Sequence, residues 1–312
     1  MKIVAKSDSS KLELEARKDL GFRNLELQLL KKDYDIMKNN PEVIMNNILG
    51  SKLNLESIHT PLGNDFYPEV RIEYTGNEHL RDLLFASCNL ANLFSYEYNK
   101  SILVVVHNGL NRIDYELMPS LYKEVVKTVD NILNQYYGVE LSIENICPFD
   151  INTNETNGSR YGSFELTKML RQDLKTNRIG VTVDTCHYMM TEKIYKLLND
   201  AGVFGDSSSN EYNDPHIDSL EDYIRNQKGL INNIHLNNIR YFGNGSSNHS
   251  APFLMNNKSD LNRLKEILKV APENSRLTLE VNEDDYIKCN NLCETAISVR
   301  RAASDLGINI ED

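Results

Sequence analysis

Eight short apolar runs recur along the chain, at residues 2–5, 24–29, 53–59, 102–107, 139–144, 180–184, 231–236 and 276–281. Their lengths suit strands, and the segments between them carry apolar residues at helical spacing, at 11–20, 78–98, 118–135, 162–174, 191–201, 218–226, 259–270 and 285–303. Ser259, Asp260 and Asn262 ahead of Leu264 mark a helix start. Eight strands alternating with helices predict an α/β fold, a single-domain (β/α)8 barrel spanning residues 1–312.

Six of the runs end on a residue that metals favour: His59, His107, Glu144, Asp184, His235 and Glu280, spaced by 48, 37, 40, 51 and 45 residues. One such residue is unremarkable as a core histidine or a chance acid. Six in phase with a strand–helix repeat point to a metal, because a closed barrel gathers its strand ends at one face. Side chains alternate across a strand, so the residues two positions earlier share the inward face. These are Ser57, Val105, Ser142, Thr182, Asn233 and Thr278, and five of the six can hydrogen-bond, as a layer beneath charged ligands requires.

Glu144, Asp184, His235 and Glu280 form the most economical donor set. Three carboxylates and one imidazole suit Mn, Co, Mg or Zn. His187 follows Asp184 in VDTCH, within reach of the same pocket, and His249 lies in a loop, NGSSNHS, able to fold back over the barrel mouth. His79 is expected to face solvent and His216 to sit in a loop or at a helix start. Long polar loops at 109–118, 147–160, 202–216 and 240–257 follow strands and would shape the pocket.

Composition narrows the function further. With 312 residues, 40% hydrophobic, the chain can bury one large core. Its 34 basic and 45 acidic residues leave a formal charge of -11, and no dense basic run offsets that field, which weighs against a nucleic-acid partner. No segment reaches the length of a membrane span, the amino terminus lacks an apolar signal core, and five scattered cysteines suit reduced thiols. A cytoplasmic protein is expected.

SIHTPLG, VVVHNG, SIENICPF, GVTVDTCH, NIHLNN and LTLEV, in this order, resemble the motifs of the xylose isomerase-like TIM barrels, a superfamily that includes sugar isomerases and epimerases and endonuclease IV, the family 2 apurinic (AP) endonuclease. The sugar branch implies one divalent ion on Glu144, Asp184, His235 and Glu280, with Glu144 and Glu280 as the acid/base pair, His187 on a sugar oxygen, and proton transfer through an enediolate. The endonuclease branch implies zinc: His59, His107 and Glu144 for one ion, Glu144 bridging to a second on Asp184, His235 and Glu280, and His187 with His249 at a third, for attack on abasic DNA. Three departures weaken that third site. Ser247 stands where an Asp is expected, Asn238 where an acid is, and the first strand has no histidine. The sequence therefore favours a small sugar, or sugar phosphate, as substrate over nucleic acid. The resemblance also implies a homo-oligomer, since barrels of this superfamily commonly pair.

Overall fold

Alternation within the apolar runs decides which way each strand faces. In the computed structural model, which describes residues 1–61, 69–146, 149–150, 155–156, 161–200, 219–241 and 247–312, those runs become β1 (Lys2–Ser7), β2 (Asn24–Gln28), β3 (Asn54–His59), β4 (Ile102–Asn108), β5 (Val139–Asn145), β8 (Ile179–Asp184), β9 (Ile231–Leu236) and β12 (Arg276–Leu279). They pair in parallel and close into an eight-stranded barrel in the order β1-β2-β3-β4-β5-β8-β9-β12 and back to β1. Two short hairpins lie outside it: β6 (Phe149–Asp150) with β7 (Glu155–Thr156), and β10 (Asn238–Tyr241) with β11 (Ser247–Ala251). The (β/α)8 expectation is met.

Ile102, Val104 and Val106 of β4 point outward into one apolar cluster with Leu83 and Leu84 of α4 (Glu78–Tyr98) and Val125 and Val129 of α6 (Pro119–Gln135). Ile234 and Leu236 of β9 and Leu277 and Leu279 of β12 point outward into a second, with Leu264 and Ile267 of α10 (Lys258–Val270) and Val299 of α11 (Asn290–Leu306). The opposite parity faces the barrel axis. Ser57, Val105, Ser142, Thr182, Asn233 and Thr278 are all completely buried. Register then brings the strand-end residues level, with His107 beside Glu144 and Asp184 beside His235.

Several helices differ from the sequence reading. Two unforeseen ones, α2 (Tyr34–Asn39) and α3 (Glu42–Ser51), fill the link between β2 and β3, where Pro41 and four asparagines mask a pattern carried by Ile44 and Ile48. The helix α8 (Thr185–Asp200) starts directly on the end of β8, six residues ahead of expectation, so His187 lies in its first turn. Asn257, not Ser259, caps α10 by accepting the amides of Ser259 and Asp260. Residues 285–289 form a turn before α11, with Asp285 accepting the amides of Ile287 and Lys288. α5 (Arg112–Leu117) occupies an expected loop, as do the two hairpins; the expected loop at 202–216, with His216, lies outside the described residues. His79 is exposed, as expected.

The barrel base is closed by polar groups. Glu56, almost fully buried, pairs with Lys2 at 3.1 Å, Lys100 at 2.8 Å and Arg276 at 3.3 Å. Above it, Ser142 donates to Asn232 Oδ1 at 2.7 Å, and Asn232 fits only because Gly180 has no side chain: a Cβ there would lie 2.3 Å from the Asn232 amide nitrogen. No helix among the described residues is long and apolar enough to cross a membrane.

Candidate metal centre

All six strand-end residues meet at the carboxyl end of the barrel. Their donor atoms fall into two groups, His59–His107–Glu144 and Glu144–Asp184–His235–Glu280, and within each group the atoms lie within 4.8 Å of one another. Glu144 belongs to both. Every member except Glu280 is buried; Glu280 keeps 19% of its side chain exposed.

The imidazoles are held by groups on their far sides. His59 Nδ1 faces the Thr60 carbonyl oxygen at 2.7 Å, and because a carbonyl only accepts, Nδ1 carries the proton. Burial, with the Lys6 ammonium nearby, holds His59 below the usual histidine range, so the ring is neutral and its Nε2 lone pair confronts Glu144 Oε2 at 3.2 Å. Two acceptors face to face repel unless a cation lies between them. That arrangement fits a metal ion and is not explained by packing. His107 Nδ1 faces Glu69 Oε2 at 3.1 Å while Nε2 points toward Glu144 at 3.5 Å.

His235 lies on the other side of Glu144. Its Nδ1 is 3.1 Å from Glu144 Oε1 and 2.6 Å from Glu280 Oε2, and its Nε2 is 3.0 Å from Glu26 Oε1. Glu26 is a carboxylate buried inside the barrel, its Oε2 accepting from Ser57 at 2.6 Å, Asn233 at 3.3 Å and Thr278 at 3.4 Å. Three of the six residues expected beneath the ligands therefore anchor one carboxylate, while Ser142 and Thr182 bond each other at 2.6 Å. Burial would raise the Glu26 carboxyl, but the adjoining His235 and Lys6 outweigh it and hold it down to about 2.

Asp184 is fixed by its neighbours. Its Oδ1 accepts the His187 amide at 2.6 Å and its Oδ2 accepts from Asn237 Nδ2 at 2.8 Å, while Asn145 Oδ1 accepts the Asp184 amide at 2.8 Å. His187 Nδ1 lies 2.9 Å from the Asn145 carbonyl and 3.6 Å from Asp184, with 15% of its side chain exposed. The His249 backbone belongs to β11; its side chain lies outside the described residues.

Electrostatics reinforce the demand for cations. Burial disfavours charge on His107, yet Glu69 and Glu144 push it up to about 10, and burial is likewise outweighed at His235 by Glu144, Glu26 and Glu280, which raise it well above the usual histidine range. Glu144 itself is held well below the usual carboxylate range by His235 and His107 in spite of complete burial. The carboxylates draw in positive charge, and divalent ions on these donor groups satisfy the same demand.

Lys6 is the unexpected member. It stands on β1, where the endonuclease motif calls for a histidine, and its Nζ is 2.6 Å from Glu280 Oε1 and 3.7 Å from Glu26 Oε1. The parity rule is anchored on strand-end ligands, and the first two apolar runs, 2–5 and 24–29, end without one, so it does not reach Lys6 or Glu26. Glu69 had no strand signal, since it lies in the segment leading to α4.

No family model and no curated protein sequence matches the chain. Solved structures do. An AP endonuclease of family 2 from Brucella melitensis aligns at a TM-score of 0.56 and 12% identity, covering 92% of this chain and 96% of that one. A D-tagatose 3-epimerase-like protein aligns at 0.56 and 15%, covering 98% and 100%, and endonuclease IV from Thermus thermophilus at 0.54 and 16%, also covering 98% and 100%. The barrel fold is the one shared by these solved structures, and a further match is to a xylose isomerase-like TIM barrel fusion protein. Both branches named from the motifs are thus among its structural neighbours, and at these identities the likeness speaks for the fold alone.

Proposed function

We propose that the chain is a divalent-metal-dependent isomerase or epimerase of a small sugar. The observation that supports this reading best is the position of Glu280. It is the one donor-set carboxylate with solvent access, and it is fixed between Lys6 and His235 and lines a cavity of small-molecule size. Divalent ions held by Glu144, Asp184, His235 and Glu280, and by His59 and His107, would supply Lewis acidity toward adjacent substrate oxygens, a role that one or two ions serve in enediolate chemistry.

Glu280 takes the proton from the carbon beside the carbonyl and returns it. Glu144, the expected partner in acid/base work, is completely buried among imidazoles, and this supports a ligand role for it instead. Single-carboxylate transfer between neighbouring carbons suits isomerisation. Epimerisation needs a second proton carrier on the opposite face, and His187, partly exposed and held through its Nδ1, is the group in place for that or for gripping a sugar oxygen. Lys6 fixes the Glu280 carboxylate from the β1 side.

One observation favours a second reading. Two donor groups sharing Glu144 form the kind of two-ion clamp that serves in-line displacement at phosphorus, as in an endonuclease IV-like zinc phosphoesterase acting on abasic DNA. The formal charge of -11 and Ser247 oppose it. Elemental analysis with anomalous scattering, followed by parallel assays on a ketose panel and on abasic duplex DNA, separates the two. Metal-dependent ketose turnover that Glu280→Gln abolishes is expected. Nicking of abasic DNA that depends on His59 and His107, with no ketose turned over, would replace this reading by the second.

A further inference from the structure

A cavity of about 390 Å³ adjoins Glu280 between the carboxyl ends of β1, β2 and β12. That size is within the range of roughly 300–1,000 Å³ that small-molecule sites occupy. Its charged lining consists of Lys6, Arg17, Asp8, Glu13, Glu280 and Glu283. Both cations are already engaged. Lys6 Nζ is 2.6 Å from Glu280; Arg17 donates from Nε to the Lys6 carbonyl at 3.0 Å and from Nη1 to the Tyr286 carbonyl at 2.6 Å, and its Nη2 lies 3.5 Å from Glu13. Acceptors remain on offer. Gln28, one of the lining residues, is only 8% exposed; its Nε2 donates to the Leu29 carbonyl at 3.0 Å, and its Oε1 is buried without a hydrogen-bond partner among the described residues.

An unpartnered buried carbonyl oxygen, acidic walls and no spare cation call for a ligand that donates hydrogen bonds and bears no negative charge. We propose that this cavity receives the hydroxylated tail of the substrate, with Gln28 Oε1 accepting from a tail hydroxyl, and that the sugar is therefore taken without a phosphate on that tail. The inference rests on the isomerase reading for the head of the substrate and on the cavity alone for its tail. A terminal phosphate would face Asp8, Glu13 and Glu283, and the nearby cations are already paired, Lys32 with Asp8 and Arg17 with Glu13, so it would have to displace a carboxylate to gain a basic partner.

The test uses ligand-observed NMR titration of the Mn2+-loaded protein with free ketohexoses, ketohexose 6-phosphates and hexitols. Free ketohexoses and hexitols should bind, and the phosphates at least about tenfold more weakly. Gln28→Leu should weaken hexitol binding about two- to tenfold at unchanged metal content. Asp8→Asn combined with Glu283→Gln should narrow the gap between phosphates and free sugars, and it decides the matter if the Gln28 variant does not fold. Phosphates binding as well as free sugars, no polyol binding, or a Gln28→Leu protein with unchanged affinity would overturn the proposal. Hexitols have no carbonyl, so the two readings fail separately: Gln28-dependent hexitol binding without turnover of any ketose keeps the pocket and removes the isomerase, and turnover with phosphates preferred does the reverse.

Discussion

The same strands carry two unlike faces. Outward, Leu25 and Leu27 of β2, Leu141 and Ile143 of β5 and Leu277 and Leu279 of β12 meet the helices in an apolar layer. Inward, one residue along, Glu26, Ser142, Glu144 and Thr278 are just as deeply buried. Burial of the first set stabilises the fold, whereas burial of the second is tolerable only because each polar group is paired or faces a cation. Depth alone therefore says nothing about role in this protein; parity does.

Substitutions should separate the faces. The largest effect is expected from Glu144→Gln, which weakens both donor groups at once: ketose turnover should fall at least about a thousandfold, or about 4 kcal/mol, with metal content reduced and the melting temperature of the metal-stripped protein little lowered. Leu141→Ala, one strand face away, should do the opposite, lowering unfolding free energy in urea by about 2–5 kcal/mol while metal content is kept. A chain in which Leu141→Ala strips the metal, or Glu144→Gln leaves it, would erase the contrast.

Glu73 offers a buried carboxyl outside the donor groups. It accepts the Gly109 amide at 2.9 Å, its other oxygen has no hydrogen-bond partner among the described residues, and burial pushes it up to about 7 against an ordinary 4.5. Between those two values the folded chain keeps a proton that the unfolded chain has lost, so stability falls as pH rises through that window. Glu73→Gln should remove that slope, adding about 3 kcal/mol at pH 8 and little at pH 4, as read by urea melts at both. Equal gains at both pH values would assign the effect to packing.

Smaller effects sharpen the inner face. Glu26→Gln loses the charge behind His235 and should weaken binding of the ion held with Asp184 and Glu280 by about 10- to 100-fold in a chelator competition. Glu69→Gln should weaken the ion at His107 by about tenfold and leave the other site unchanged. Identical losses at both sites from either change would mean that the two donor groups act as one.

Much of this was legible in the chain. The strand-end residues could be read because a period-two pattern and a repeat of 37 to 51 residues place them in phase, and these signals survive any loop sequence. Ser57, Asn233 and Thr278 followed from parity alone. Glu26, however, sits mid-strand in NLELQ, where an acid looks like a solvent-facing residue of a half-exposed strand, and its burial depends on the barrel closing over it. Glu69 reaches His107 through a contact 38 residues apart in sequence that no local pattern encodes. α2 and α3 were hidden because Pro41 and the asparagines suppress propensity while Ile44 and Ile48 still supply a buried face.

Among the described residues, the ion pairs of Glu56 with Lys2, Lys100 and Arg276 plug the base of the barrel and leave the carboxyl ends of its strands as the mouth. Traffic through one opening is last in, first out. Ions held at Glu144 would load before any larger guest and leave after it, so exchange of the deepest ion should slow whenever the mouth is filled, and a chelator should act fastest on the protein at rest.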